Sequence, residues 1–195
     1  MNDYHHFLRT RRSIRRFKPD PVPEFVIKRL LTTAIHAPSA HNLQPWRFVH
    51  IESSVAKERL GRALTEKMRA DMEAEGADPA QIQKRIEISL RRIAEAPLIL
   101  LLCRDKTAIR KEDSEEHQMG VQSTALTGLQ LMLAAHAEGL GANWICWPLY
   151  GQAEVQSALD LSENWLPQGM FFIGAMDESP KEPERNPLED VFVQR

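Results

Sequence analysis

Cysteine is almost absent: of 195 residues only Cys103 and Cys146 carry thiols. Neither belongs to a C-x-x-C pair or to any metal-ligand spacing, which excludes a disulfide scaffold and a zinc ribbon. Both sit in apolar, strand-like segments, a pattern that predicts buried free thiols and a reducing compartment such as the cytoplasm. Long apolar runs are missing as well. The longest, Pro97 to Cys103, is strand-sized and far short of the roughly 18 residues that span a bilayer. The basic N-terminus has no apolar signal core behind it, which argues against export. Charge of one sign is not in surplus: 25 Lys and Arg face 27 Asp and Glu, a net charge of −2. That balance argues against a protein that binds nucleic acid with its whole surface.

The usual catalytic signatures are also lacking. There is no G-x-x-x-x-G-K-S/T phosphate loop, no G-x-S-x-G elbow and no H-E-x-x-H. Gly139-Leu-Gly141 is not a dinucleotide fingerprint, because the third glycine is missing and a strand follows. The histidines have no carboxylates or cysteines at ligand spacing, so no metal site is expected.

What is present describes a folded domain. Hydrophobic residues make up 43% and charged residues 27%, which excludes global disorder. A short helix is expected over Tyr4–Thr10, and Lys18-Pro-Asp-Pro-Val-Pro should be extended. Pro23 suits the first turn of a helix that runs to about His36. A polar loop then leads to a strand at Trp46–Ile51. The segment 54–95 reads as two charged helices, broken near Gly76-Ala-Asp-Pro79, with a solvated face. Strands are expected at Leu98–Cys103, Asn143–Trp147 and Met170–Ala175, and helices at Ser114–Glu138 and Gln152–Leu159. The second half of the Ser114–Glu138 helix is apolar nearly all round. A helix of that kind must be buried in a core or an interface, and homodimerisation would cover it. Helices alternating with four or five strands indicate a single α+β or α/β domain over 1–195.

Three local features could carry chemistry. In Arg11-Arg-Ser-Ile-Arg-Arg-Phe17, an extended backbone would put Arg11, Ser13, Arg15 and Phe17 on one face. Two guanidiniums and a hydroxyl there suit a phosphorylated ligand. A solvated basic arm or a nucleic-acid contact would read the same way. The loop Pro38-Ser-Ala-His-Asn-Leu-Gln-Pro-Trp46 sets a hydroxyl and two amides between prolines. It suits a heterocycle or a polyol chain, or serves only as a connection. In the tail, Pro183-Glu-Arg185-Asn-Pro-Leu188 offers one arginine among acids, either a second anion ligand or surface decoration.

Taken together and in this order, these features resemble the nitroreductase superfamily of FMN-dependent oxidoreductases. The resemblance rests on Arg-Arg-Ser-x-Arg-x-Phe at 11–17 and Ala-Pro-Ser-Ala-x-Asn-x-Gln-Pro-Trp at 37–46. It continues with the helix end Ala-Glu-Gly-Leu-Gly at 137–141, the strand to Trp147 and Arg-x-Pro at 185–187. It implies an α+β fold with a central mixed or antiparallel sheet of four to five strands, built as an intertwined homodimer with two interfacial FMN sites. By position, Arg11, Arg12 and Ser13 would hold the phosphate and ribityl chain, and Arg15 the pyrimidine edge. Pro38, Ser39 and Asn42 would approach from the other subunit. Pro148, Leu149 and Tyr150 would run past the central ring. Pro148 has no N–H, so a hydrogen bond there would fall to Leu149. Arg185 would complete the phosphate site, while Asn186 stands where many members have a second base.

The implied activity is ping-pong hydride transfer from NADH or NADPH to a nitro or quinone-like acceptor, with the helices of 54–95 setting access. Flavin carries such chemistry itself, which agrees with the empty search for nucleophiles and acid–base pairs. Met68–Gly76 and the run into Ala96-Pro-Leu-Ile also look like the nitroreductase-like domain fused to the deazaflavin coenzyme gamma-glutamyl ligase. That likeness implies, as an alternative, FMN-dependent reduction of a dehydro precursor of the deazaflavin coenzyme. A flavin binder without turnover is the alternative of another class. No nucleic-acid or membrane partner is expected.

Overall fold

A computed structural model describes residues 3–180 and 182–195. Helix α1 (Tyr4–Thr10) begins where the Asp3 carboxylate accepts the His6 N–H at 3.0 Å. An extended arm follows, and then α2 (Glu24–Ala34) behind Pro23. The other elements are β1 (Trp46–His50), α3 (Ser54–Ala74), α4 (Pro79–Glu95), β2 (Leu98–Asp105), α5 (Ser114–Ala137), β3 (Gly141–Ile145), α6 (Gln152–Ala158), β4 (Trp165–Gly174) and α7 (Leu188–Val191). The break between α3 and α4 has a local cause. Gly76 takes a left-handed φ of 75°, and Asp78 then caps α4 by accepting from Gln81 N.

The four strands form one antiparallel sheet in the order β1-β2-β4-β3. Every residue of β2 is buried, because both faces of the sheet are covered. The period of two divides the strand. Leu98, Leu100 and Leu102 join α2 and α5 in one core, together with Phe171 and Ile173. Ile99, Leu101 and Cys103 join α3 and α4 in the other, together with Met170 and Phe172. The charged helices therefore have a solvated side and an apolar side: Leu60, Leu64, Ile82, Ile86 and Ile93 are all buried.

Several boundaries differ from expectation. β4 begins at Trp165 rather than Met170. Its pairing with β2 slips between Leu102 and Cys103, next to Pro167, which has no N–H for the ladder. β3 lies two residues earlier than expected and ends at Ile145. As a result Cys146 falls outside the strand and is exposed, contrary to the expectation of a second buried thiol, whereas Cys103 is buried. α5 shows why its apolar periphery has no single partner. Leu131, Ala134 and Ala135 are buried, but Val121, Leu126 and Leu129 remain 44%, 43% and 44% exposed.

The arm joins the open edge of β3. Ser13 bridges Ala142 in parallel, and Ile14 N donates to Ala142 O at 3.1 Å. Phe17 bridges Met176 beyond the end of β4. Ile14 packs so closely that a Cβ on Gly141 would lie 2.7 Å from the Ile14 Cβ, so the position requires glycine. Among the described residues no helix is long and apolar enough to cross a membrane, and no cluster of three metal-ligating side chains occurs.

Candidate functional site

Two ends of the chain meet at the arm. Arg11, Arg12, Ser13 and Arg15 line a cleft of about 510 Å³ together with Arg185 of the tail. Arg11 Nη1 is buried and has no hydrogen-bond partner among the described residues. Burial lowers the Arg11 pKa from its ordinary value, and the charges of Arg12 and Arg185 lower it further. Among the described residues, Glu178 lines the cleft as well and offsets part of this charge. Arg12 reaches Glu182 only at 3.4 Å, and that carboxylate is exposed. Among the described residues, Arg185 donates only to the Glu184 carbonyl, at 3.3 Å. Converging cations with an orphaned donor are costly unless an anion neutralises them. A phosphate monoester fits, because guanidiniums grip its oxygens in pairs.

Glu178 anchors the arm from within the lining of this same cleft. Its carboxylate accepts from the backbone N–H of Arg15 and, at 3.1 Å, from that of Arg16, and it pairs with Arg16 Nε at 3.5 Å. The Arg15 amide is the main cause of a carboxyl pKa below the usual glutamate value. On the far side of Arg15, Arg16 and Glu178 lies a second cleft of about 550 Å³. Its floor includes Phe17 and Phe172, and α4 contributes Arg91 and Arg92. Sequence reasoning missed these two arginines. They carry no local signal, since a charged helix face reads as solvated until the packing of α4 is known.

The polar loop is built differently from an ordinary connection. His41, Asn42 and Gln44 have φ of 51°, 54° and 49°, a left-handed conformation that non-glycine residues rarely take. Ser39 Oγ accepts from Gln44 N at 3.1 Å, Ser123 Oγ of α5 accepts from Ala40 N at 3.1 Å, and His41 Nε2 lies 4.0 Å from buried Glu116. The loop is thus pinned to the first half of α5. Pro38, Ser39 and Asn42 line neither arginine cleft.

Residues Trp147–Gly151 form a 3-10 turn after β3, with Pro148 buried and Leu149 and Tyr150 exposed. They line neither cleft either. Leu149 N–H, the expected donor toward a flavin ring, instead donates to Cys146 O at 3.0 Å. The cause is local: Pro148 starts a tight turn, which closes on the nearest upstream carbonyl. A single chain therefore gathers Arg11, Arg12, Ser13, Arg15 and Arg185, but not the loop or the turn.

The Nitroreductase family model matches residues 8–175, a span that holds the arm, the loop and the turn but stops short of Arg185. The chain belongs to the nitroreductase family. It is 29% identical over 192 residues to a Bacillus subtilis protein named "Putative NAD(P)H nitroreductase YfhC", covering 96% of this chain and 91% of that one. It is 31% identical over 178 residues to 5,6-dimethylbenzimidazole synthase of Rhodospirillum rubrum, covering 89% and 82% of the two chains. The fold is that of the nitroreductase-like family protein of Bacillus cereus, at TM-score 0.81 and 18% identity over 100% and 97% of the chains. NADPH:FMN oxidoreductase of Vibrio harveyi, solved with NAD+, superposes at TM-score 0.79 and 20% identity over 99% and 77%.

Proposed function

We propose that this nitroreductase is an FMN-dependent oxidoreductase that uses NADH or NADPH to reduce a nitro or quinone-like acceptor. The observation that carries the reading is the arginine cleft with its orphaned Arg11 Nη1. The names of the Bacillus subtilis and Vibrio harveyi relatives agree with it. When bound, FMN would supply the hydride chemistry, which suits a ping-pong scheme.

The chain's own residues divide the remaining work. Arg11, Arg12 and Arg185 would hold the phosphate, and the Ser13 hydroxyl the ribityl chain. Arg15, whose backbone N–H donates to Glu178, would lend a positive charge to stabilise a reduced, anionic flavin. Arg91 and Arg92 line the adjoining cleft, where Glu95 and Asp177 oppose part of their charge. The helices of 54–95 govern access to the acceptor.

The functional unit is a homodimer. Val121, Leu126 and Leu129 are exposed apolar residues of α5, and Leu188, Val191 and Phe192 of the tail are exposed as well. A second copy would cover both surfaces. It would also bring Pro38, Ser39 and Asn42 to a flavin held by the first chain, which no single chain does.

The purified protein should be yellow and release FMN on denaturation. NADH or NADPH should bleach it, and a nitroaromatic should restore the colour. Colourless protein that takes up no added FMN would overturn the reading. Flavin that neither nucleotide bleaches would make it a passive binder.

A further inference from the structure

His136, in the last turn of α5, stands behind the arginine cleft and belongs to none of the motifs. Its ring stacks on Phe7 of α1, with centroids 4.8 Å apart and planes at 28°. Its Nε2 lies 3.2 Å from Thr10 Oγ1. With its hydroxyl proton on the Phe7 carbonyl at 3.0 Å, the Thr10 oxygen is free to accept from a His136 N–H. Thr10 is the last residue of α1, and Arg11 and Arg12 leave directly from it. The ring thus sets the point from which both phosphate-facing arginines start.

We propose that His136 is a positioning residue of the anion cleft, and that its protonation is coupled to occupation of the cleft by a phosphate monoester. The inference rests on the FMN reading above. Burial is the largest cause that lowers the His136 pKa, the Phe7 backbone opposes it, and the Arg11 and Arg12 charges lower it further. Glu138, the residue that follows α5, is taken by Arg29 of α2, and the exposed Glu182, 3.4 Å from Arg12, offsets only part of the arginine charge. A bound phosphate neutralises the two arginines and removes their push on the ring. The ring then takes up a proton more readily when the cleft is full than when it is empty. By linkage, occupation and protonation favour each other, so lower pH strengthens binding through this residue.

The test compares FMN affinity of the wild type and His136→Gln between about pH 5.5 and pH 7.5, the range in which histidine titrates. The glutamine amide can still donate to Thr10 but does not titrate. The phosphate of FMN titrates in the same range, equally for both proteins, so the ratio of their Kd values isolates the ring. That ratio, variant over wild type, should rise at least ~3-fold toward the acid end; each unit of pKa gained on binding allows about tenfold. A flat ratio would overturn the coupling while leaving the FMN site intact. Loss of FMN binding by the wild type at every pH would overturn both readings. The His136 ring signal in wild-type protein, followed by NMR with and without inorganic phosphate, provides a check that needs no variant. Its pKa should rise with phosphate, and an unchanged value would also overturn the coupling.

Discussion

Arg11 and Arg185, at opposite ends of the chain, line one cleft, and the charge of Arg185 is among the causes that lower the Arg11 pKa. The tail arginine thus lies within reach of the charges of the arm. Arg185→Ala should weaken FMN binding by about 1.5–3 kcal/mol, the scale of a hydrogen bond to a charged group. Fluorescence titration of the apoprotein measures this, and unchanged affinity would remove Arg185 from the site.

Gly141→Ala tests how firmly β3 holds the arm. The added Cβ would meet Ile14 at 2.7 Å. Overpacking of this kind should cost about 1–3 kcal/mol of stability. Because Ser13 and Ile14 bridge Ala142, FMN affinity should fall with the melting temperature. A variant that melts like the wild type would show that the arm can shift freely.

The exposed apolar residues of α5 predict a dimer that charge can split. Leu126→Glu combined with Leu129→Glu would put two carboxylates into the apolar contact. Light scattering should then report a monomer. That monomer should bind FMN poorly, since the loop of Pro38, Ser39 and Asn42 would no longer arrive from a partner. A dimer of normal mass would place the interface elsewhere.

Glu116 should govern part of the acid limb of stability. Its side chain is only 1% exposed, and it accepts from Arg110 Nη2 at 2.8 Å and Nε at 3.0 Å. The hydrogen bond from Arg110 is the main reason its pKa lies below the ordinary 4.5. A depressed carboxyl pKa stabilises the fold fully above the unfolded value, and that contribution is lost as pH falls through the folded one. Melting temperatures between about pH 5 and pH 3 should therefore fall less steeply in Glu116→Gln than in the wild type. Parallel curves would remove Glu116 from the acid limb.

The two thiols should differ in reactivity. Burial pushes the Cys103 thiol up to about 12, so it stays protonated and covered at neutral pH. Native Cys146→Ser should take up no thiol reagent, and the unfolded variant should take up one equivalent. Labelling of the native variant would mean that the core around β2 opens.

Legibility followed the range of the interactions. α1, α2 and the α3–α4 break were readable because caps, prolines and a helical period act over a few residues. The start of β4 was not, because Pro167 and the slipped pairing with Leu102 and Cys103 make sense only beside β2. The exposure of Cys146 was missed for a related reason: an apolar neighbourhood in sequence does not tell where a strand ends. The basic face of the cleft was legible in the arm alone. Arg91, Arg92 and His136 gave no signal, since their meaning comes from where α4 and α5 pack.

The residues alone determined the chain's balance of charge, the α+β alternation, the motifs of the arm and loop, and the surplus of apolar surface on α5. Each depends on residue type and short spacing. Folding decided which charges meet. It brought Arg185 to Arg11, set Glu178 under the backbone of Arg15, committed Leu149 N–H to Cys146 and left the loop on the far half of α5. Such pairings join segments far apart in sequence, and only the packing of both layers on one sheet fixes their distances.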